Sequence, residues 1–319
     1  MSAATDMVPA TRAAGYGSLG KRVYALLNRH WQSIAIALPY AWLLIFFLAP
    51  FAIVFKISLA DPIIARPPFT PMFDWSADAA NRIYVTAENY RFLLNDRLYW
   101  LTYISSFRFA AVATVLCLLI GYPMAYAIAR AKDSTRNILL LLVILPFWTS
   151  FLLRVYAWMG LLNQNGIINN LLIWLGFTDG PVQLLYTDFA IYAGLVYSYL
   201  PFMILPLYAN LERLDEDLLE AASDLGARPW QVFRDVTLPM SMPGIIAGCL
   251  LVFIPAMGEY VIPALLGGPD NLMIGRVLYD EFFFNRDWPI ASAVAIVLLA
   301  ALVLPIMLFQ HFEKKAEAQ

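Results

Sequence analysis

Apolar residues run in long blocks along this chain, and the polar residues gather between them. Six blocks approach or exceed the ~20 residues that an α-helix needs to cross a bilayer. They span residues 34–55, 109–129, 138–162, 189–208, 244–266 and 289–309. Arg154 interrupts the third block and Glu259 the fifth. The first block is too long, and its polar lead too extended, for a cleaved secretory signal, so it reads as a retained span. The pattern predicts an all-α integral membrane protein of six transmembrane helices. Residues 1–32 would be an N-terminal lead, 33–311 the six-helix domain and 312–319 a tail.

The polar segments divide by charge. Lys and Arg favour the cytoplasmic side of a membrane. With the N-terminus inside, the inner segments hold twelve of them: Arg12, Lys21, Arg22, Arg29, Arg130, Lys132, Arg136, Arg213, Arg228, Arg234, Lys314 and Lys315. The outer segments hold six: Arg66, Arg82, Arg91, Arg97, Arg276 and Arg286. Both termini are therefore expected in the cytoplasm. The largest outer segment, residues 61–102, is proline-rich and then reads as one short amphipathic helix, AENYRFLLNDRLYW. A second outer segment carries the apolar run IINNLLIWL, too short to span, which should lie along the interface or pack on the bundle.

Composition agrees with this picture. The chain of 319 residues is 61% hydrophobic and 14% charged, well under the roughly 25% charge of soluble domains, and its mean hydropathy is +0.67. A net charge of −2 gives no ground for a nucleic-acid partner. Cys117 and Cys249 sit inside apolar blocks and read as small buried hydrophobes. His30 and His311 lie at opposite ends, so no metal site is encoded, and no cofactor is implied. GYGSLG (Gly15 to Gly20) has the form G-x-G-x-x-G but lacks the strand before it and the helix and acid after it that a dinucleotide site requires. No phosphate-binding G-x-x-x-x-G-K-[ST] and no catalytic constellation is present, which argues against an enzyme.

One inner segment stands apart. EAASDLGARPWQVFRDVTLP, from Glu220 to Pro239, lies within a polar loop spanning 211–239. It parses into two short helices. Asp215 caps the first, which runs to about Leu225. Gly226 fits the left-handed position that often ends a helix, and Pro229 fits the first turn of the second. Pro239 should stop that helix before the fifth span. Leu218, Ala222 and Leu225 share one face, Glu220 and Asp224 another.

The spacing Glu220-Ala221-Ala222, three residues, Gly226, nine residues, Val236-Thr237-Leu238-Pro239 resembles the EAA motif of the permease subunits of bacterial ABC importers. Residues 134–162 and 253–296, and the first span, resemble the polyamine-type members of that family, nearest to the larger permease subunit of putrescine importers. The resemblance implies the type I permease fold, with the loop forming a coupling helix that docks on an ATP-binding subunit. Glu220, Ala221, Ala222, Asp224, Leu225, Gly226, Leu238 and Pro239 would make that contact. It also implies a second, homologous permease subunit, an ATPase dimer, a periplasmic binding protein and a polyamine substrate, in the bacterial inner membrane. Hydrolysis would sit on the partner.

A polycation needs negative charge and aromatic faces along its path. Glu259 is the one acid well inside a block. Pro255 and Pro263 on either side should break its helix and free the carbonyls of Leu251 and Glu259. At about 1.5 Å per residue, Arg154 and Glu259 both lie roughly 23–24 Å from the inner ends of their spans. Glu259 therefore either pairs with Arg154 or meets substrate, or does both. Tyr156, Trp158, Trp148 and Tyr260 are candidate aromatic walls. Asp280, Glu281 and Asp287 should be solvated or face the binding protein. Competing classes are a permease for another small solute, such as an amino-acid derivative or organic cation, a self-sufficient secondary transporter, and a membrane enzyme.

Overall fold

Helix is the regular structure of the described residues, apart from a lone antiparallel bridge between Pro62 and Phe69. The computed structural model describes residues 35–71 and 85–317. Expectations for residues 1–32, including GYGSLG, fall outside them. Two units are distinguished, residues 1–56 and 57–319. The first is represented by most of α1 (Ala35–Ser58), an apolar helix with a π-helical turn at Leu44–Leu48.

In the second unit the chain runs through α2 (Glu88–Asn95), α3 (Arg97–Ala129), α4 (Asp133–Ile144), α5 (Phe151–Leu162), α6 (Ile167–Trp174), α7 (Asp188–Leu211), α8 (Glu216–Asp224), α9 (Pro229–Met257), α10 (Val261–Leu265), α11 (Ile274–Phe283) and α12 (Trp288–Glu317). Among the described residues, four helices are long and apolar enough to cross a membrane: α1, α3, α7 and α9.

The boundaries depart from expectation at five places, each for a local reason. The amphipathic helix expected near residues 87–100 is two helices, because Asp96 adopts an extended conformation and its carboxylate takes the Leu98 N–H at 2.8 Å, starting α3 early. The third apolar block is not one helix. Pro146 begins a 3₁₀ turn at Leu145–Trp148, Thr149 and Ser150 are extended, and the segments Asp133–Trp148 and Phe151–Trp174 meet at 92°. Pro239 does not stop a helix. The turn before it widens to π geometry over Phe233–Thr237, with Leu238 N–H bonded to the Phe233 carbonyl five residues back. This wider turn accommodates the proline ring, and α9 continues. The fifth block, expected to break at its prolines, breaks at Gly258 instead. Finally, α12 runs through the expected tail to Glu317, since HFEKKAE contains helix formers and no stop signal.

The core lies where α3, α7 and α9 cross. Gly244 and Gly248 on α9 form a small-xxx-small pair, which lets membrane helices approach closely. A Cβ on Gly244 would lie 2.7 Å from Asn210 Cβ of α7. One on Gly248 would lie 2.7 Å from Met203 Sδ and 3.2 Å from the Met203 carbonyl. Gly121 of α3 faces the same Met203 from the other side, 3.0 Å from its Cγ. The fully buried Met203 is thus a knob held between two glycines. Tyr122 of α3 and Ser241 of α9 share a 2.9 Å hydrogen bond nearby. A second cluster joins α2, α3, α11 and α12 through Leu93, Tyr99, Ile274, Val277, Ala293 and Val294.

This packing generates a prediction. Gly248→Leu drives a branched side chain into α7 and should cost about 1–3 kcal/mol, as overpacking of a filled core does. Gly160→Ala, where nothing lies within 4 Å, should not lower stability. Thermal unfolding of the detergent-purified protein measures both; equal melting of Gly248→Leu and the parent would refute the close crossing.

Candidate functional site

The break in the fifth block is built around Glu259. α9 ends at Met257 and α10 begins at Val261, leaving Gly258–Tyr260 non-helical. The first N–H groups of any helix have no partner within it. Glu259 Oε1 accepts three of them, from Tyr260 at 3.1 Å, Val261 at 2.9 Å and Ile262 at 3.4 Å. Its Oε2 accepts the hydroxyl of Tyr199 on α7. Gly275 of α11 abuts the break, since a Cβ there would lie 2.3 Å from the Gly258 carbonyl.

The expected role of the prolines is therefore corrected. Pro255 sits inside α9 without interrupting it. Pro263 occupies the first turn of α10, where a missing N–H leaves no bond unmade. Gly258 and the side chain of Glu259 make the break. Tyr199 was not legible as a partner, because nothing in its spacing relates it to a residue sixty positions later.

Arg154 does not pair with Glu259 among the described residues. Its guanidinium lies over the rings of Phe147 at 5.4 Å and Phe151 at 5.6 Å, and its Nε and Nη1 are buried without hydrogen-bond partners. The expectation of equal depth assumed a straight third span, and the 92° bend removes that premise. The aromatic candidates are scattered. Trp148 is 75% exposed at the bend and Tyr156 is exposed on α5. Trp158 packs edge-on against Tyr197, at 5.6 Å between ring centroids. Tyr260 stacks on Tyr279 of α11 at 3.9 Å and 16°. Only Tyr260 adjoins Glu259. The three further acids are less free than expected. Glu281 accepts the Tyr99 hydroxyl at 2.9 Å, and Asp287 takes the Ile290 N–H at 3.0 Å to cap α12. Burial lifts the carboxyls of Asp280 and Asp287 above the ordinary range.

The charged stretch forms at the other end of the bundle. Asp215 caps α8 by accepting the Asp217 N–H at 3.1 Å. Gly226 has φ +86°, the left-handed conformation expected of it. The N–H groups of Gly226 and Ala227 bond the carbonyls of Ser223 and Ala222 at 2.9 and 3.2 Å, which closes a Schellman turn. Gln231 accepts the Arg228 N–H at 2.8 Å to start α9. No residue of α8 is buried, and Leu225 and Trp230 are 90% and 67% exposed. Glu220, Ala221, Asp224 and Pro239 are exposed as well, while Ala222 and Leu238 are half-buried.

The Glu259 geometry predicts a specific coupling. A hydrogen bond to a charged group contributes about 1.5–3 kcal/mol, so Tyr199→Phe and Glu259→Gln should be strongly non-additive in a double-mutant cycle read by thermal unfolding. The cycle of Glu259→Gln with Arg154→Gln should be additive. Coupling in the second cycle but not the first would overturn the assignment.

The comparisons give the chain its relatives. The model of binding-protein-dependent transport system inner membrane components matches residues 117–317. The spermidine/putrescine transport system permease protein of Haemophilus influenzae is 42% identical over 291 residues, covering 91% of this chain and 96% of the relative. Its namesake from Escherichia coli is 45% identical over 224 residues, covering 70% and 81%. Among solved structures, a bacterial ABC transporter involved in import of the acidic polysaccharide alginate shares the fold, with a TM-score of 0.65 at 19% identity over 92% of this chain and 99% of that one. Multiple apolar helices and these relatives together make it a multi-pass inner-membrane transport component, and the chain belongs to the family of binding-protein-dependent transport system inner membrane permeases.

Proposed function

We propose that this chain is the larger permease subunit of an ATP-driven polyamine importer, with six spans and both termini cytoplasmic. The observation that carries the substrate class is the 42–45% identity to spermidine/putrescine permeases over most of the chain. The six spans are α1, α3, the bent pair α4–α5, α7, α9 with α10, and α12. Residues 1–32 and the end of α12 would then face the cytoplasm, with the loop 211–239 on the same side.

In this reading α8 is the coupling helix. It presents Leu218 and, at its C-cap, Leu225 to solvent, and with the exposed Trp230 in the first turn of α9 they offer an apolar surface. An ATP-binding subunit would cover it, with Ala221 and Ala222 permitting close approach and Glu220 and Asp224 flanking the contact. A second permease would complete the pathway, and a periplasmic binding protein would deliver the solute. Support for the last comes from the alginate transporter, which has been solved in complex with its periplasmic protein.

Glu259 supplies negative charge at the break. Four donors converge on its carboxylate, and no cation among the described residues pairs with it. It is 8% exposed, so an amine would reach it only when α10 and α7 part. Tyr260, stacked beside it, offers a ring face. Trp148, Tyr156, Trp158 and Arg154 lie on the α4–α5 bend and would contribute to the pathway only where the second permease meets that face.

Reconstitution tests the reading. The chain, combined with its ATPase, second permease and binding protein in proteoliposomes, should take up labelled spermidine or putrescine only with ATP. Gly226→Val places a β-branched residue at positive φ and should abolish ATPase attachment or uptake while insertion persists. Uptake of an unrelated solute alone, with neither polyamine carried, would sink the substrate assignment. For orientation, a protease-sensitive tag after Gln319 should be cut only from the cytoplasmic side; cleavage from outside would invert the topology.

A further inference from the structure

Two arginines of the corner between α3 and α4 hold acids of the α7–α8 connection, Glu216 in the first turn of α8 and Glu212 at the end of α7. Arg130, the residue that ends α3, donates from Nη1 to Glu216 Oε1 in the first turn of α8. Arg136, in the first turns of α4, donates from Nη1 to Glu212 Oε1 at 3.0 Å and lies 3.3 Å from Asp133. Its Nη2 donates to the carbonyls of Ala131 at 3.2 Å and Ala129 at 3.5 Å, which closes the C-terminal end of α3. Both arginine side chains are seated, at 21% and 24% exposure, with Tyr126 under Arg130. Isolated surface ion pairs contribute little, but a network fixed to backbone carbonyls holds its geometry better.

The two ends of α8 are held differently. Among the described residues, Arg130–Glu216 is the one side-chain bond from α8 to another helix. At its other end α8 passes into α9 through Gly226, whose missing Cβ would meet nothing within 4 Å. One end is held by an ion pair and the other by the backbone turn at Gly226, which leads into the first turns of α9. Force on the exposed face of α8 therefore has a side-chain route to the α3–α4 corner through Arg130, beside the backbone route into α9. From that corner α4 leads directly into the 92° bend.

We propose that Arg130 is a positioning residue that ties α8 to the α3–α4 corner, which Arg136 braces against the end of α7, and so helps convert ATP-driven movement of α8 into movement of the bent α4–α5 pair. This rests on the reading of α8 as the helix the ATPase grips. Neither arginine touches solute or nucleotide in this scheme. Their effect is on the ratio of solute carried to ATP hydrolysed.

The test uses the assembled importer in proteoliposomes. Arg130→Glu and Glu216→Arg should each keep the ATPase bound and hydrolysing. The solute carried per ATP should fall about fivefold or more, the lower end of measured inter-site couplings. The double variant Arg130→Glu/Glu216→Arg restores the attraction with reversed charges and should recover the ratio, as should Arg130→Lys. If Arg130→Glu lowers the yield of folded complex, Arg130→Gln removes the charge without adding repulsion and gives the same readout. Arg130→Glu and Glu216→Arg with the parent ratio, or a double variant as poor as those two, would overturn the proposal. A cross-link from Ala221→Cys to the ATPase in the otherwise unchanged complex reports on the underlying reading; its absence would sink that reading and the proposal with it.

Discussion

The structure depends on how one broken helix satisfies its backbone. In a bilayer interior no water is available to bond an exposed N–H, so a helix can stop at membrane depth only where protein groups replace the lost bonds. At Gly258 the helix stops, and the three N–H groups that open α10 all turn to Glu259. The carboxylate also holds Tyr199, and thereby ties the break to α7. A carboxylate is well suited to this, because it accepts several strong hydrogen bonds and its charge favours the positive end of the helix it opens. Among the described residues the same group is the one buried acid, so architecture and proposed chemistry fall on one side chain.

The rest of the core is arranged so that this break can be held. Gly121, Gly244 and Gly248 bring α3, α7 and α9 together around Met203 and Asn210, where helix association relies on packing rather than on escape from water. Gly275 lets α11 reach the backbone of the break itself. Small residues thus serve two purposes: they create a rigid three-helix contact and they admit a fourth helix against an irregular one.

Polar interactions concentrate at the opposite end. There the arginines of the α3–α4 corner meet the acids that flank α8, and α8 buries none of its own side chains. An amphipathic helix of nine residues with no buried face is not self-sufficient, since helices of that length are marginal in water and draw stability from packing. Its caps and its clamp preserve its shape while its apolar face stays open to a partner.

The amino-acid sequence by itself determined much of this. Long apolar blocks favour helix, so α1, α3, α7, α9 and α12 were legible as helices from composition. Local backbone chemistry was legible too: the Asp215 cap, the left-handed Gly226 and the Pro229 start are set by residues within a few positions of one another. The spacing of Glu220-Ala221-Ala222 and Gly226 pointed to the family. What the tertiary structure alone decided were relations between distant residues. Whether Glu259 met Arg154 depended on the path of α4 and α5, which Pro146, Thr149 and Ser150 bend by a right angle. That its carboxylate would cap α10 and hold Tyr199 depended on where α9 ended and on the face α7 turned toward it. Pro239 could be read as a stop or as a residue absorbed by a π-turn, and only the packing of α9 against α3 and α7 favoured the longer helix. Sequence specifies local geometry because its causes lie within one or two turns; the partners of a buried charge are chosen by helix crossings, whose causes are spread over the whole bundle.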